Sequence, residues 1–136
     1  MAERVLCTLA WIAALAVLLC FIGRGALAAD SAEFQVIVHP GVEATSLDSG
    51  FVAASFLKKV TRWGDGSTVR PVDLDSRSTI RAAFSQRVIK RSVAAVRNYW
   101  QQRIFSGRDV PPPEVESERA AMRYVAEHPG AIGYVS

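Results

Sequence analysis

Residues 29–136 contain no cysteine; the two in the chain, Cys7 and Cys20, both fall within the first 28 residues. The later part of the chain therefore has no disulfide, no thiolate nucleophile and no cysteine-bound metal. Histidine is almost as scarce. His39 and His128 each stand before a Pro-Gly turn, and two ligands fall short of the three or four a zinc site needs. A Gly-x-Ser-x-Gly elbow is missing, since Ser49-Gly50 and Ser106-Gly107 are too short to make one, and so is a glycine-rich phosphate loop with its lysine. Charge of one sign is lacking too. The chain has 16 Lys+Arg against 13 Asp+Glu, and residues 29–136 hold 14 against 12, a near balance that gives no reason to expect a nucleic-acid partner. At 136 residues there is room for one domain with a modest core, not for a multidomain enzyme. Neither catalysis nor a cofactor is expected.

What is present divides the chain in two. Residues 1–28 hold 22 apolar residues, with Glu3, Arg4 and Arg24 the only charges. From Val5 to Ile22 only Thr8 is polar; Gly23-Arg24-Gly25 breaks the run and Ala26-Leu27-Ala28 supplies small residues at a peptidase site. Residues 1–28 read as a secretory signal peptide cleaved after Ala28, with a retained membrane anchor as the alternative because the apolar run is long. Leu19 before Cys20 disfavours lipid attachment at that cysteine. The expected location is periplasmic or secreted, and residues 29–136 form the expected single domain.

Within that domain, Phe34 to His39 is β-branched and apolar and reads as a buried strand stopped by Pro40-Gly41. Ser46 or Asp48 caps a helix with Leu47, Phe51, Ala54 and Leu57 or Lys58 on one side. Val69 to Val72 is a short strand, with Pro71 placing it at an edge or end. Ser78 begins a helix with Ile80, Phe84 and Val88 at four-residue spacing, and Ser92 another with Val93, Val96, Trp100 and Ile104 on one face. Pro111-Pro112-Pro113 makes a loop, Glu116 to Glu127 a helix ended by His128-Pro129-Gly130, and Ala131 to Val135 a final strand. The order β-α-β-α-α-α-β implies an α/β domain with a small, mostly parallel sheet flanked by about four helices. Three short strands are few for an independent sheet, so the domain is expected to be one lobe of something larger or a lobe that pairs with itself.

The segment Phe56-Leu57-Lys58-Lys59-Val60-Thr61-Arg62-Trp63-Gly64-Asp65-Gly66, followed by Val69-Arg70-Pro71-Val72, resembles the phosphate-binding components of ABC transporters. Tyr99-Trp100, Phe105-Ser106-Gly107-Arg108 and Pro129-Gly130-Ala131-Ile132-Gly133-Tyr134-Val135 look like the same group, so the resemblance spans roughly residues 34–136. It implies one lobe of a type 2 periplasmic-binding-protein fold, a solute-binding role, and inorganic phosphate or a related oxyanion as ligand. Full-length members clamp the ligand between two lobes. With the sequence ending at Ser136, half of that cleft is expected to be missing.

The family's Arg-x-Asp-x-Ser-Gly-Thr segment aligns its Ser with Ser78, six residues before Phe84, whereas Leu74, Ser76, Thr79 and Ile80 depart from the pattern. Read from the residues themselves, Ser76, Ser78 and Thr79 offer hydroxyls at a helix start, where unpaired N–H groups attract oxyanions, and Arg77 and Arg81 offer charged donors. Arg108, beside a turn at Gly107, completes the expected anion-binding set. The competing reading is that Ser76 or Ser78 caps the helix while the arginines lie in water or pair with Asp73 and Asp75. A single lobe leaves the ligand solvated, so affinity is expected at about the millimolar level. The alternative function is an interaction or adaptor module that kept the lobe and lost the ligand, using a protein partner or self-association. Asp73 and Asp75 read as solvated or capping carboxylates in a loop. Trp63, Trp100 and Tyr134 read as core. The stretch from 78 to 105 is rich in arginine and poor in acids, which suggests a solvated basic face or a surface for an acidic partner or anionic lipid.

Overall fold

The computed structural model describes residues 32–44 and 46–136; the expected signal peptide and its cleavage point lie outside the described residues. The elements are β1 (Gln35–Val38), α1 (Ser49–Phe56), β2 (Arg70–Pro71), β3 (Asp73–Leu74), α2 (Thr79–Phe84), α3 (Val93–Phe105), β4 (Glu114–Val115), α4 (Glu118–Glu127) and β5 (Ala131–Val135). Helix α2 runs on into a π-helical turn, Ser85–Ile89.

Each helix starts where a short polar side chain can replace a missing backbone partner. Asp48, Ser78, Ser92 and Ser117 accept hydrogen bonds from the N–H groups of Phe51, Arg81, Ala95 and Ala120. Such a cap contributes about 1 kcal/mol. Ser117 also sets the last helix two residues later than the sequence suggests, because Glu114–Val115 is held as a strand and the chain must turn before the helix begins.

The α/β class and the small sheet with four flanking helices stand. β5 lies in the middle of a three-stranded sheet of order β1-β5-β2, antiparallel to β1 and parallel to β2. β3 and β4 form a separate parallel pair. Two of the three ladders are thus parallel. β1 is a half-buried edge strand rather than a buried one, since it has a neighbour on one side only. Pro71 sits on the edge strand β2, where its missing N–H costs no ladder bond. β4 is unforeseen in the sequence: it is two residues long and follows three prolines, too short to show a period.

The core forms around β5. The Tyr134 ring stacks on Phe84, with centroids 3.9 Å apart and planes 5° from parallel, and Phe56 packs against both. Trp63, Trp100 and Tyr134 are all buried, as their apolar surroundings suggest. Two predicted helix faces are met in part, with Leu57 buried and Leu47 packed against the core as expected. In α1 the buried side is Val52, Ser55 and Phe56, with Phe51 partly covered against Trp63. In α3 Val96 and Trp100 are buried, while Ile104 is half exposed because the chain turns away at Gly107.

Two helical segments end on lysines in the left-handed backbone region: Lys58 just after α1, at φ 50°, and Lys90 after the π-helical turn, at φ 60°. A side chain with a Cβ costs roughly 1–2 kcal/mol there.

Candidate functional site

Asp73 sets the chemistry of the region that the sequence singles out. It lies on β3 between Val72 and Leu74, all three buried, so its carboxylate is carried inside by the strand. A buried carboxylate requires donors. Arg81 supplies one from α2: its Nη2 stands 3.1 Å from Asp73 Oδ2. Tyr134 donates its hydroxyl to Asp73 Oδ1 from β5, and the Leu74 N–H donates to the same oxygen at 3.0 Å. Arg81 Nη1 donates to Glu114 Oε1 on β4 at 2.5 Å and to the Leu74 carbonyl at 2.6 Å. One guanidinium thereby joins β3, α2 and β4, and through Asp73 the central strand β5.

The charges follow from this geometry. Burial pushes the Asp73 carboxyl above the usual carboxylate range, and the Arg81 charge and the Tyr134 hydroxyl pull it back only in part. Burial pulls Arg81 down, but Asp73 and Glu114 outweigh it and hold the guanidinium more firmly charged. Burial, then the Asp73 charge, push the Tyr134 hydroxyl far above its ordinary range.

Arg81 is consequently not a free anion receptor: it is 5% exposed and its head group faces two carboxylates and a carbonyl. The Asp73 carboxylate is correspondingly not a solvated loop group but a buried, paired one. Ser78 caps α2, with its Oγ accepting from the Arg81 N–H at 3.2 Å. Arg77 is exposed and pairs with Asp75, Nε to Oδ1 at 2.9 Å, an interaction open to solvent. Asp75 also accepts from the Arg77 N–H, so a carboxylate already occupies the approach to the helix start. Ser76 and Thr79 are exposed. The competing sequence reading, a capped helix with both arginines paired to Asp73 and Asp75, describes the observed turn.

Arg108 stands apart. It follows Gly107, which turns the chain at φ 65°, and lines a hollow with Ile104, Asp109 and Val110. Ser76 and Arg81 line a different hollow, beside Trp100 and Pro111, and the two share only Ile104. The six expected anion-binding residues are therefore not gathered around one cleft. Both hollows mix charged and apolar lining, and large apolar side chains stand exposed near them, Phe105 at 91% and Ile104 and Val110 at more than half. Among the described residues no group of three or more His, Cys, Asp or Glu side chains is placed to hold a metal ion.

Sequence reasoning missed Glu114 and the inward course of Asp73. A signal existed for the second. Val72-Asp73-Leu74 puts a carboxylate in an apolar run, and Arg81 lies three residues before Phe84 on the same side of the helix.

No family model and no curated protein matches the chain. Among solved structures it is similar to an ABC-type phosphate transport receptor from Vibrio cholerae, with a TM-score of 0.57 and 15% identity over 76% of this chain and 40% of the receptor. It is similar also to PstS from Borrelia burgdorferi, with a TM-score of 0.57 and 13% identity over 75% of this chain and 39% of that protein. The chain thus spans about 40% of the length of the proteins it matches. Helix order, small sheet and these likenesses agree: the fold is that of one lobe of a type 2 periplasmic-binding-protein-like structure, of the kind found in phosphate transport receptors.

Proposed function

We propose that this chain is an exported, non-catalytic lobe of the solute-receptor type that acts by recognition, and that its main partner is a protein surface rather than a tightly held phosphate ion. One observation carries this reading: the Arg81 guanidinium, the strongest candidate for an oxyanion ligand, is engaged by Asp73, Glu114 and the Leu74 carbonyl. Removing it from those groups to serve an anion would leave the buried Asp73 without its cation. The likeness to transport receptors supports an extracytoplasmic place of action, in keeping with the apolar leader ending at Ala28. The exposed Phe105, Ile104 and Val110 beside Arg108 suit contact with a protein partner or a second copy.

A second reading, weak oxyanion contact at the turn of residues 76–79, is favoured by the exposed hydroxyls of Ser76 and Thr79. Calorimetric titration of the purified protein and of its Ser78→Ala and Thr79→Ala variants with phosphate separates the two. The proposed function expects any phosphate response to be the same in all three proteins. A saturable response that disappears with Ser78→Ala or Thr79→Ala would return the turn to the role of oxyanion site.

A further inference from the structure

One side of α1, the residues that follow it and the π-helical turn after α2 line an open cavity of about 380 Å³. Lys59, Lys90 and Arg91 line it together with Ser49, Leu57 and Ile89, and none of its lining residues is acidic. Among the described residues no carboxylate lies within ion-pair distance of any of the three cations; the neighbouring Lys58, by contrast, pairs with Asp109 at 3.3 Å. The three cationic residues are exposed and border one hollow, the Arg91 guanidinium also lying over the Tyr99 ring, 5.6 Å from its centroid, so an anion seated there is attracted by all three.

Lys90 makes the arrangement less easily dismissed as a solvated edge. It holds φ 60°, a conformation in which glycine carries no penalty and lysine does. Among the described residues the lysine has no ion-pair partner that would offset that strain. Its backbone N–H donates to the Ser85 carbonyl, an interaction glycine would make equally well. Among the described residues the exposed Lys90 side chain makes no hydrogen bond or ion pair, and it adds one charge to the cavity lining. Strain retained without structural return is a mark of a site with another use.

We infer that the cavity between α1 and the turn at Ile89 binds a phosphate-bearing anion through Lys59, Lys90 and Arg91. This inference is independent of the proposed function, because it lies at other residues than the 76–79 turn. A phosphate group suits the cavity through its compact double charge and several acceptor oxygens, which satisfy two ammonium groups and a guanidinium together. The group is supplied either by a free phosphate or by the headgroup of a phospholipid.

The test uses the purified full chain, inorganic phosphate at constant ionic strength, and vesicles of phosphatidylglycerol or phosphatidylcholine. Thermal shift and calorimetry report the first, cosedimentation the others. The expected result is a saturable response to phosphate, or binding to phosphatidylglycerol but not phosphatidylcholine vesicles; which of the two occurs identifies the source of the group. Lys90→Gly relieves the left-handed strain, so its Tm should be unchanged or higher while its affinity falls about tenfold, the loss of one charge-assisted contact. Lys59→Gln should weaken binding similarly, and Lys58→Gly, whose charge is engaged with Asp109, should leave it within about twofold. The inference is overturned if neither phosphate nor anionic vesicles bind, if chloride matches phosphate, or if Lys90→Gly binds as the unaltered protein does.

Discussion

Arg81 Nη2 and Asp73 Oδ2 meet 3.1 Å apart with both side chains more than nine-tenths buried, and this pair fixes the start of α2 against β3. Removing one member leaves the other charged and enclosed. Arg81→Met should therefore cost about 3–5 kcal/mol, measured by urea unfolding. Asp73→Asn combined with Arg81→Met should recover a large part of that loss. Additive losses in the double variant would show that the two side chains act separately.

Tyr134 and Asp73 test the same network from the central strand. Tyr134→Phe keeps the stack on Phe84 but removes the hydroxyl that donates to the carboxylate. The expected destabilisation is about 1.5–3 kcal/mol, the worth of a hydrogen bond to a charged group. An unchanged denaturation midpoint would contradict the role assigned to the hydroxyl.

Gly130 tolerates no side chain. Its φ is 78°, and an added Cβ would come within 2.1 Å of the Thr68 carbonyl oxygen, while the Gly130 carbonyl accepts from Trp63 Nε1 at 2.9 Å. Gly130→Ala should lower stability by more than about 1 kcal/mol, and the Trp63 fluorescence should change as its partner moves. Full stability in the variant would refute this close approach.

The acidic limb of the stability profile has opposing contributors. Asp75 is held below the usual carboxylate range by its hydrogen bonds and charge contact with Arg77, and Asp65 by its bonds to Ser67. Lowered folded values mean that their contribution is present above about pH 4 and is lost as pH falls through the folded values. Asp73 is raised, so its contribution runs the other way: present below about pH 4 and lost as pH rises through its folded value. Asp75→Asn should flatten the loss of stability on acidification, whereas Asp73→Asn should steepen it. Unfolding curves collected from pH 2 to 6 decide this, and identical slopes for the two variants would contradict it.

Phe105 contributes surface rather than core. At 91% exposure, replacement by Ser should change stability by no more than about 0.5 kcal/mol. Under the proposed function the same variant should reduce association with a protein partner or a second copy, read by sedimentation velocity.

Much of this fold could be read from local chemistry. Asp48, Ser78 and Ser92 announced helix starts because a cap is a property of a few adjacent residues. The strand at Ala131–Val135 and the burial of Trp63 and Tyr134 followed from apolar runs. The direction of the Arg81 head group could not be read in that way. It depends on Glu114, 33 residues later on a strand of two residues, and on the pairing of β3 with β4. Composition around Ser78 shows donors but not whether they are already engaged. That distinction separated an anion site from a structural tie, and it arises only when distant segments meet.

The position of β5 bears on how the molecule is made. β1 and β2 do not pair with each other; each is held by a strand that follows every other described element. Until Ala131–Val135 has been synthesised, the three-stranded sheet has no middle, and Phe56 and Phe84 lack their tyrosine. Closure must await Ala131–Val135, which leaves the preceding polypeptide exposed to proteases and chaperones until that strand is in place.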